Sequence, residues 1–311
     1  MKTVSFFNVE NLFDTFNDPH TNDDDFLPTS DKRWTEKRYE NKLFKLGLAI
    51  SSIGKMETET HPAIVGLAEI ENNTVLTNLL ESEHLNDLPY DYVHFDSSDE
   101  RGIDVALIYD TTVFTVIHSE PFSIQLFDEY GSQDYTRDIL LVSGLFDGEP
   151  MHFLVNHWPS KHEASNAGKR LIVSNKVSQI ITGLNDNNPG SKIIVMGDFN
   201  DDSDSKGIQT LVNNNALFNP METLKSTDRG SVSYREGWDL FDQFMLSHNF
   251  LEHKAGHHKF DSADIFDADF LKQYRGHYAG QPFRTYAGNK YKGGYSDHFP
   301  VYLLLRKITG F

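Results

Sequence analysis

The 311-residue chain contains no cysteine, which excludes disulfides, thiolate metal sites and cysteine nucleophiles. No run of 18 apolar residues occurs, so no transmembrane helix is expected. The opening MKTVSFFNVENLFD enters an apolar strand at once, without a long apolar stretch and small-residue cleavage site. Cytoplasmic is therefore the default location, with secretion as the alternative. Basic charge is scarce: 28 Lys and Arg stand against 46 Asp and Glu, a net charge of −18. That balance disfavours broad electrostatic attraction to nucleic acid, although divalent cations and a few local Arg and Lys residues would offset repulsion at one site. Also missing are a G-x-S-x-G elbow, a phosphate-binding P-loop and an H-E-x-x-H pair.

What is present supports a folded enzyme-sized unit. Hydrophobic residues make up 38% and aromatics 13%, enough for a real core. No repeat or Pro/Gly-rich linker divides the chain, so a single domain over residues 1–311 is expected. Strand candidates are Val4–Val9, Ala63–Ala68, Tyr90–Phe95, Val105–Tyr109, Phe114–His118, Ile139–Leu145, His152–Val155, Ile193–Met196, Asp242–Ser247 and Phe299–Arg306. Helix candidates are Thr35–Ile53, Thr74–Ser82, Ser165–Leu184 and Lys206–Asn213. Strands and helices interleave without strict alternation, which predicts an α/β fold with a mixed sheet or two packed sheets flanked by helices. Asn17–Lys32 reads as an acidic, solvated loop and Glu252–Lys292 as a long loop rich in His, Gly and aromatics.

The most informative segment is Lys192–Asp201, KIIVMGDFND. Ile193 to Met196 read as a buried strand, Gly197 as the turn at its end, and Asp198 and Asn200 as an acceptor and an amide placed there. Gly, Asp and Asn are also plain turn formers. Five further polar groups sit on or beside apolar strands in the same way. Asn8 and Glu10 fall on one face by strand alternation, and together suit a hydrated hard cation. Glu69 ends a buried-looking strand, and a buried Glu needs a partner or a metal; Glu71 suits the start of the following helix. His157 follows a strand and can act as acid, base or phosphate donor, with Lys161, Lys169 and Arg170 nearby for an anion. Asp297 and His298 are adjacent and project differently, and Asp242 is placed to orient a His. Carboxylates, amides and two histidines fit hard-metal phosphoester hydrolysis better than zinc proteolysis.

Taken in order, NVEN, GLAEIEN, VNHWPSK, GDFND, DLFDQFMLS and YSDHFPV resemble the endonuclease/exonuclease/phosphatase family. Deoxyribonuclease I, exonuclease III-type repair nucleases, inositol polyphosphate 5-phosphatases and neutral sphingomyelinases belong to that superfamily. The resemblance runs from Asn8 to Val301 and is closest in pattern to bacterial members of uncertain substrate. It implies a four-layer α/β sandwich, two mixed β-sheets packed face to face and flanked by helices. It implies Mg²⁺ or Mn²⁺ at Asn8, Glu69 and Asp297, with Glu10 where many members have Asp or Asn. Asp198 and Asn200 match the pair that positions the attacking water and the phosphate. Asp242 matches the acid that pairs with His298, and His157 a phosphate-facing His. Glu100, just before RGID, Asp104, at its end, and Arg137, in TRDIL, resemble residues that support the ligands or face the phosphate.

The implied reaction is in-line attack of water on phosphorus, with Asp198 or the His298–Asp242 pair orienting or deprotonating the water. Nucleic acid is the first substrate expectation, and a small or lipid phosphoester of the inositol phosphate or sphingomyelin type is the alternative. In the loop before YSDH, Arg284 is a candidate phosphate clamp and the tyrosines candidate base platforms. A non-catalytic binding module is disfavoured by the intact Glu69, Asp198, Asn200, Asp242, Asp297 and His298. Nothing in the chain specifies an oligomer, so a monomer is the default.

Overall fold

Strand runs that are apolar on both faces belong inside a molecule, between a second sheet and a layer of helices. The computed structural model describes residues 1–128, 130–161, 166–234 and 237–309, and builds two six-stranded sheets whose central strands are such runs. The strands in chain order are β1 (Lys2–Leu12), β2 (Ile64–Ile70), β3 (Tyr90–His94), β4 (Asp104–Asp110), β5 (Phe114–Phe122), β6 (Ile139–Phe146), β7 (Glu149–His157), β8 (Ile193–Asp198), β9 (Leu217–Phe218), β10 (Asp242–Ser247), β11 (His258–Ile265) and β12 (Val301–Lys307). The helices longer than one turn are α1 (Glu36–Ser52), α2 (Asn73–Leu80), α3 (Asn166–Asn187) and α4 (Lys206–Asn214). The first sheet runs β11-β12-β1-β2-β4-β3 and the second β9-β10-β8-β7-β6-β5. Each has one parallel pair at its centre, β1–β2 and β7–β8, among antiparallel neighbours. This is the expected mixed-sheet sandwich.

Strand β8 shows how the layers arise. Its odd residues Ile193 and Val195 join a cluster with Val173, Val177 and Ile208 of α3 and α4. Its even residues Ile194 and Met196 enter the large core between the sheets, with Phe6, Phe153 and Phe244. Both faces are buried, so the run has no polar alternation. Gly197 is part of this strand rather than the turn expected of it. A Cβ there would lie 2.3 Å from Asn156 O on neighbouring β7, so only glycine lets the two strands approach. The turn falls at Asn200, whose φ is +49°.

Two other expectations change. The long segment Glu252–Lys292 contains edge strand β11, whose HKFDSADI is mostly polar and only partly buried and so carries no apolar strand signature. The third helix is seen from Asn166; its expected start at Ser165 lies outside the described residues. No helix among the described residues is long and apolar enough to cross a membrane.

Away from the strand ends that carry the motifs, a buried ionic cluster ties the two sheets together. Glu149, at the start of β7, is 6% exposed. Its carboxylate accepts from His258 N (2.7 Å), His258 Nδ1 (2.8 Å) and Lys192 Nζ (2.9 Å). His258 belongs to β11 of the other sheet, and Lys192 also donates to His258 O.

Candidate active site

The parallel pairs set the site. In open sheets, polar side chains at the carboxyl ends of parallel strands face a common crevice. Asp198 at the end of β8 is in register with His157 at the end of β7 and with Asp242 at the start of antiparallel β10. Three residues far apart in sequence therefore stand side by side across three strands. From the first sheet, Asn8 pairs with Ala68, one residue before Glu69. A β-bulge at Glu69, with φ +68°, aims its carboxylate. Of eight non-glycine residues with positive φ among those described, Glu10, Asn11, Glu69 and Asn200 lie in these motifs. Strained backbone gathers at such sites.

Asp198 is 1% exposed and central. Its Oδ2 accepts from Asn8 Nδ2 at 3.0 Å and lies 3.7 Å from His157 Nε2 and 3.9 Å from His298 Nε2. Its Oδ1 accepts from Asn200 N at 2.9 Å. Burial, with the negative charge of Asp242, lifts its pKa to about 7 against the pull of His298 and the hydrogen bonds. Asp242, fully buried, accepts from His298 Nδ1 at 2.6 Å. Burial alone would lower the His298 pKa; Asp242, Asp198 and Asp297 outweigh it and raise it well above the ordinary value, so the ring is cationic. Burial, with nearby Arg137, Arg101 and His298, drives the His157 pKa well down and keeps that ring neutral.

Hard-cation ligands should be oxygens facing open space. Glu69 and Asp297 both line the cleft. Glu69 Oε2 accepts from Asn11 N at 2.8 Å, while Oε1 meets Asn8 Nδ2 at 3.5 Å and lies 3.9 Å from His157 Nε2, leaving acceptor capacity unspent. Asp297 Oδ2 is braced by Arg284 Nη2 at 2.6 Å. Carboxylate oxygens of this kind suit a hard divalent cation. Asn8 is turned the other way from a ligand: its Oδ1 accepts from Glu10 N at 3.0 Å, and its Nδ2 faces the carboxylates.

Several predicted residues stand elsewhere. The positive φ at Glu10 breaks strand alternation, so Glu10 leaves the face of Asn8 and accepts from Thr285 N (2.5 Å) and Tyr286 N (3.3 Å). Burial and Asp297 push its pKa to about 7. Arg284 is spent on Asp297 and lies 3.8 Å from Glu10, while Tyr286 is buried beside Trp34, so that loop packs on the protein instead of opening to the cleft. Lys161 pairs with Asp202 at 3.2 Å. Arg170 ties Asp201 (2.9 Å) to Pro159 O and Ser160 O, bracing the loops behind His157 and Asp198. Asp104 gathers with His94 and Asp96, and Glu100 is exposed; both border a neighbouring trench. Glu71 precedes α2 and accepts from Asp14 N, while Asn72 caps the helix. Asn200 does line the cleft, with its Nδ2 donating to Trp158 O at 3.0 Å. Arg137 also lines it, donating to Asp99 Oδ2 (3.0 Å) and Trp158 O (2.9 Å).

The cleft encloses roughly 440 Å³. Its remaining wall carries Arg101, Tyr135, Thr136, Asn166 and Lys169. Of these, sequence reasoning weighed only Lys169. The one available signal was Arg101, standing beside Glu100 in the RGID segment.

A family model described as "Endonuclease/Exonuclease/phosphatase family" matches residues 3–307. Solved structures share the fold. A Bacteroides thetaiotaomicron mannosyl-6-phosphatase is 16% identical, with TM-score 0.60, over 98% of this chain and 100% of that one. Danio rerio (D. rerio) TDP2 complexed with single-strand DNA product is 14% identical, with TM-score 0.55, over 98% and 99%. The human Nocturnin catalytic domain with bound sulfate is 13% identical, with TM-score 0.57, over 98% and 94%. No curated protein matches the chain.

Proposed function

The chain belongs to the endonuclease/exonuclease/phosphatase family, and from that premise we propose that it is a divalent-metal-dependent phosphoester hydrolase acting by in-line attack of water. One observation carries the reading: Asp198 lies within 4 Å of Asn8, His157 and His298, with Asp242 bonded behind His298. Asp198, poised near neutral pH, orients the attacking water and takes its proton. The water oxygen bonds to phosphorus as the ester oxygen leaves on the opposite side. His298, held cationic by Asp242, and neutral His157 donate to phosphoryl oxygens. Glu69 and Asp297, with Asn8 beside them, would hold Mg²⁺ or Mn²⁺, whose chemistry there is to neutralise charge developing on the phosphate.

For the substrate, the cleft favours a small soluble phosphoester. The trench that meets it at Tyr135 is lined by Asp18, Glu71, Asp96, Asp99, Glu100 and Asp104, a poor surface for a polyanionic strand. The chain's net charge of −18 adds to that penalty. Nucleic acid is the second reading, supported by Arg101 and exposed Tyr135 at the cleft and by the single-strand DNA product in the TDP2 structure. The test is hydrolysis of sugar phosphates, mononucleotides, inositol phosphates, sphingomyelin, plasmid and oligonucleotides, each with Mg²⁺ and with EDTA. Metal-restored turnover of small soluble esters is expected. Cleavage of polynucleotides alone would select the second reading, and no hydrolysis of any ester would reject both.

A further inference from the structure

A cluster outside the catalytic cleft holds a ring nitrogen that its surroundings leave unsatisfied. His94 ends β3 and Asp104 begins β4. The His94 side chain is 0% exposed and Asp104 4%. His94 Nδ1 lies 3.3 Å from Asn73 Oδ1. That oxygen only accepts, so the ring hydrogen is assigned to Nδ1 and Nε2 presents its lone pair. Nε2 has no hydrogen-bond partner among the described residues and faces Asp104 Oδ2 at 3.4 Å, beyond the usual N–H···O range of about 2.7–3.2 Å. Asp104 Oδ1 is already used, accepting from Ser97 N at 3.0 Å. Two buried acceptors held this way repel unless a cation lies between them.

We propose that His94, Asp104 and Asp96 bind a divalent cation of the Zn²⁺ type, at a site separate from the catalytic one and independent of the phosphoester reading. Ligand atoms of the three residues lie within 4.8 Å of one another. Two bonds of about 2.1 Å meeting at a tetrahedral angle hold their atoms about 3.4 Å apart, which is the spacing of Nε2 and Oδ2. An ion bonded at that length fits between atoms too close to admit a water. Asp96 Oδ1 lies 3.9 Å from Nδ1, and its side chain, 79% exposed on the acidic trench, rotates to complete the set and opens the site to solvent for a water ligand. An imidazole nitrogen among carboxylates suits Zn²⁺, whereas Mg²⁺ and Ca²⁺ take oxygen. The ion joins the two ends of segment 95–103. That segment carries Arg101 to the catalytic cleft, and with it Asp99, which accepts from Arg137 Nη1 at 3.0 Å. The ion therefore holds one wall of the cleft in place.

Equilibrium dialysis of the full chain against ZnCl₂, with Mg²⁺ in excess, counts the ions. Asp198, Asp242 and His298 form a second group able to hold a metal, so binding is measured in a His298→Asn background that removes its imidazole. That protein should retain one Zn²⁺ per chain. His94→Ala and Asp104→Asn, each added to it, should weaken binding at least tenfold, and Asp96→Asn should weaken it less. Anomalous diffraction at the zinc edge, from wild-type crystals grown with ZnCl₂, needs no variant and decides the matter if either substitution prevents folding. A peak bonded to His94 Nε2 and Asp104 Oδ2 is expected. Zinc at the Asp198–His298 group alone, no zinc peak, or dialysis binding unchanged by both His94→Ala and Asp104→Asn overturns the site.

Discussion

Replacing Glu149 by Gln should destabilise the protein at neutral pH and leave it almost unaffected near pH 2. Burial alone would raise this carboxyl; hydrogen bonds from His258 and Lys192 instead hold it down from its ordinary 4.5 to about 2. A pKa depressed in the folded state contributes stability that is fully present above the unfolded value and lost as pH falls through the folded one. The window is therefore about pH 4.5 to 2. The shift corresponds to about 3 kcal/mol, trimmed to about 2–3 by residual solvent access at the hairpin. Unfolding entropy of about 2.1 cal/mol/K per residue converts this to a fall of about 3–5 °C in Tm. Urea unfolding of both proteins at steps between pH 7 and pH 2 measures the difference, in which contributions common to both cancel. A gap of about 2–3 kcal/mol at pH 7 that closes below pH 4 is expected. A gap independent of pH would refute the reasoning, because it would mean that lost packing, not the charged hydrogen bonds, sets the cost.

Other outcomes follow from the site. Asp198→Asn and His298→Asn should each lower kcat by at least about 10²-fold with melting temperature little changed, as expected where a proton-transfer group is removed; turnover within threefold of wild type in both would sink the assignment. Asp242→Asn leaves the geometry but withdraws the charge that holds His298 cationic, so the loss should be about 10²- to 10⁴-fold, and NMR titration should show the His298 pKa lowered. Gly197→Ala brings a Cβ to within 2.3 Å of Asn156 O, and thermal melts should report a loss of about 1–3 kcal/mol or more. Arg284→Ala should act through Asp297, raising the Mg²⁺ concentration for half-maximal activity without changing substrate KM at saturating metal.

Much of the fold was legible because both sheets are built from runs whose apolar character survives alone. Ile193–Met196 is buried on both faces and needs no context to read as a strand. The edge strand His258–Ile265 was not legible, because only its two end residues are buried and it pairs with β12 alone. The site divides along the same line. Asp198, Asp242, Glu69 and His298 end or begin apolar strands, and register then places them together. Glu10 misled because alternation holds only while φ stays negative, and its φ of +53° turns the carboxylate toward Thr285. Arg284 misled because a cation near a catalytic motif can be consumed by that motif's own carboxylate.

By itself the sequence determined the layers, the order of the motifs and the kind of chemistry, since each rests on local pattern and residue type. Only the tertiary structure decided which polar groups meet. Register across three strands brings His157, Asp198 and Asp242 abreast, and ion pairs to Asp201 and Asp297 occupy Arg170 and Arg284. Those outcomes depend on long-range packing and on which hydrogen bonds are already used, quantities that no local window of the chain contains.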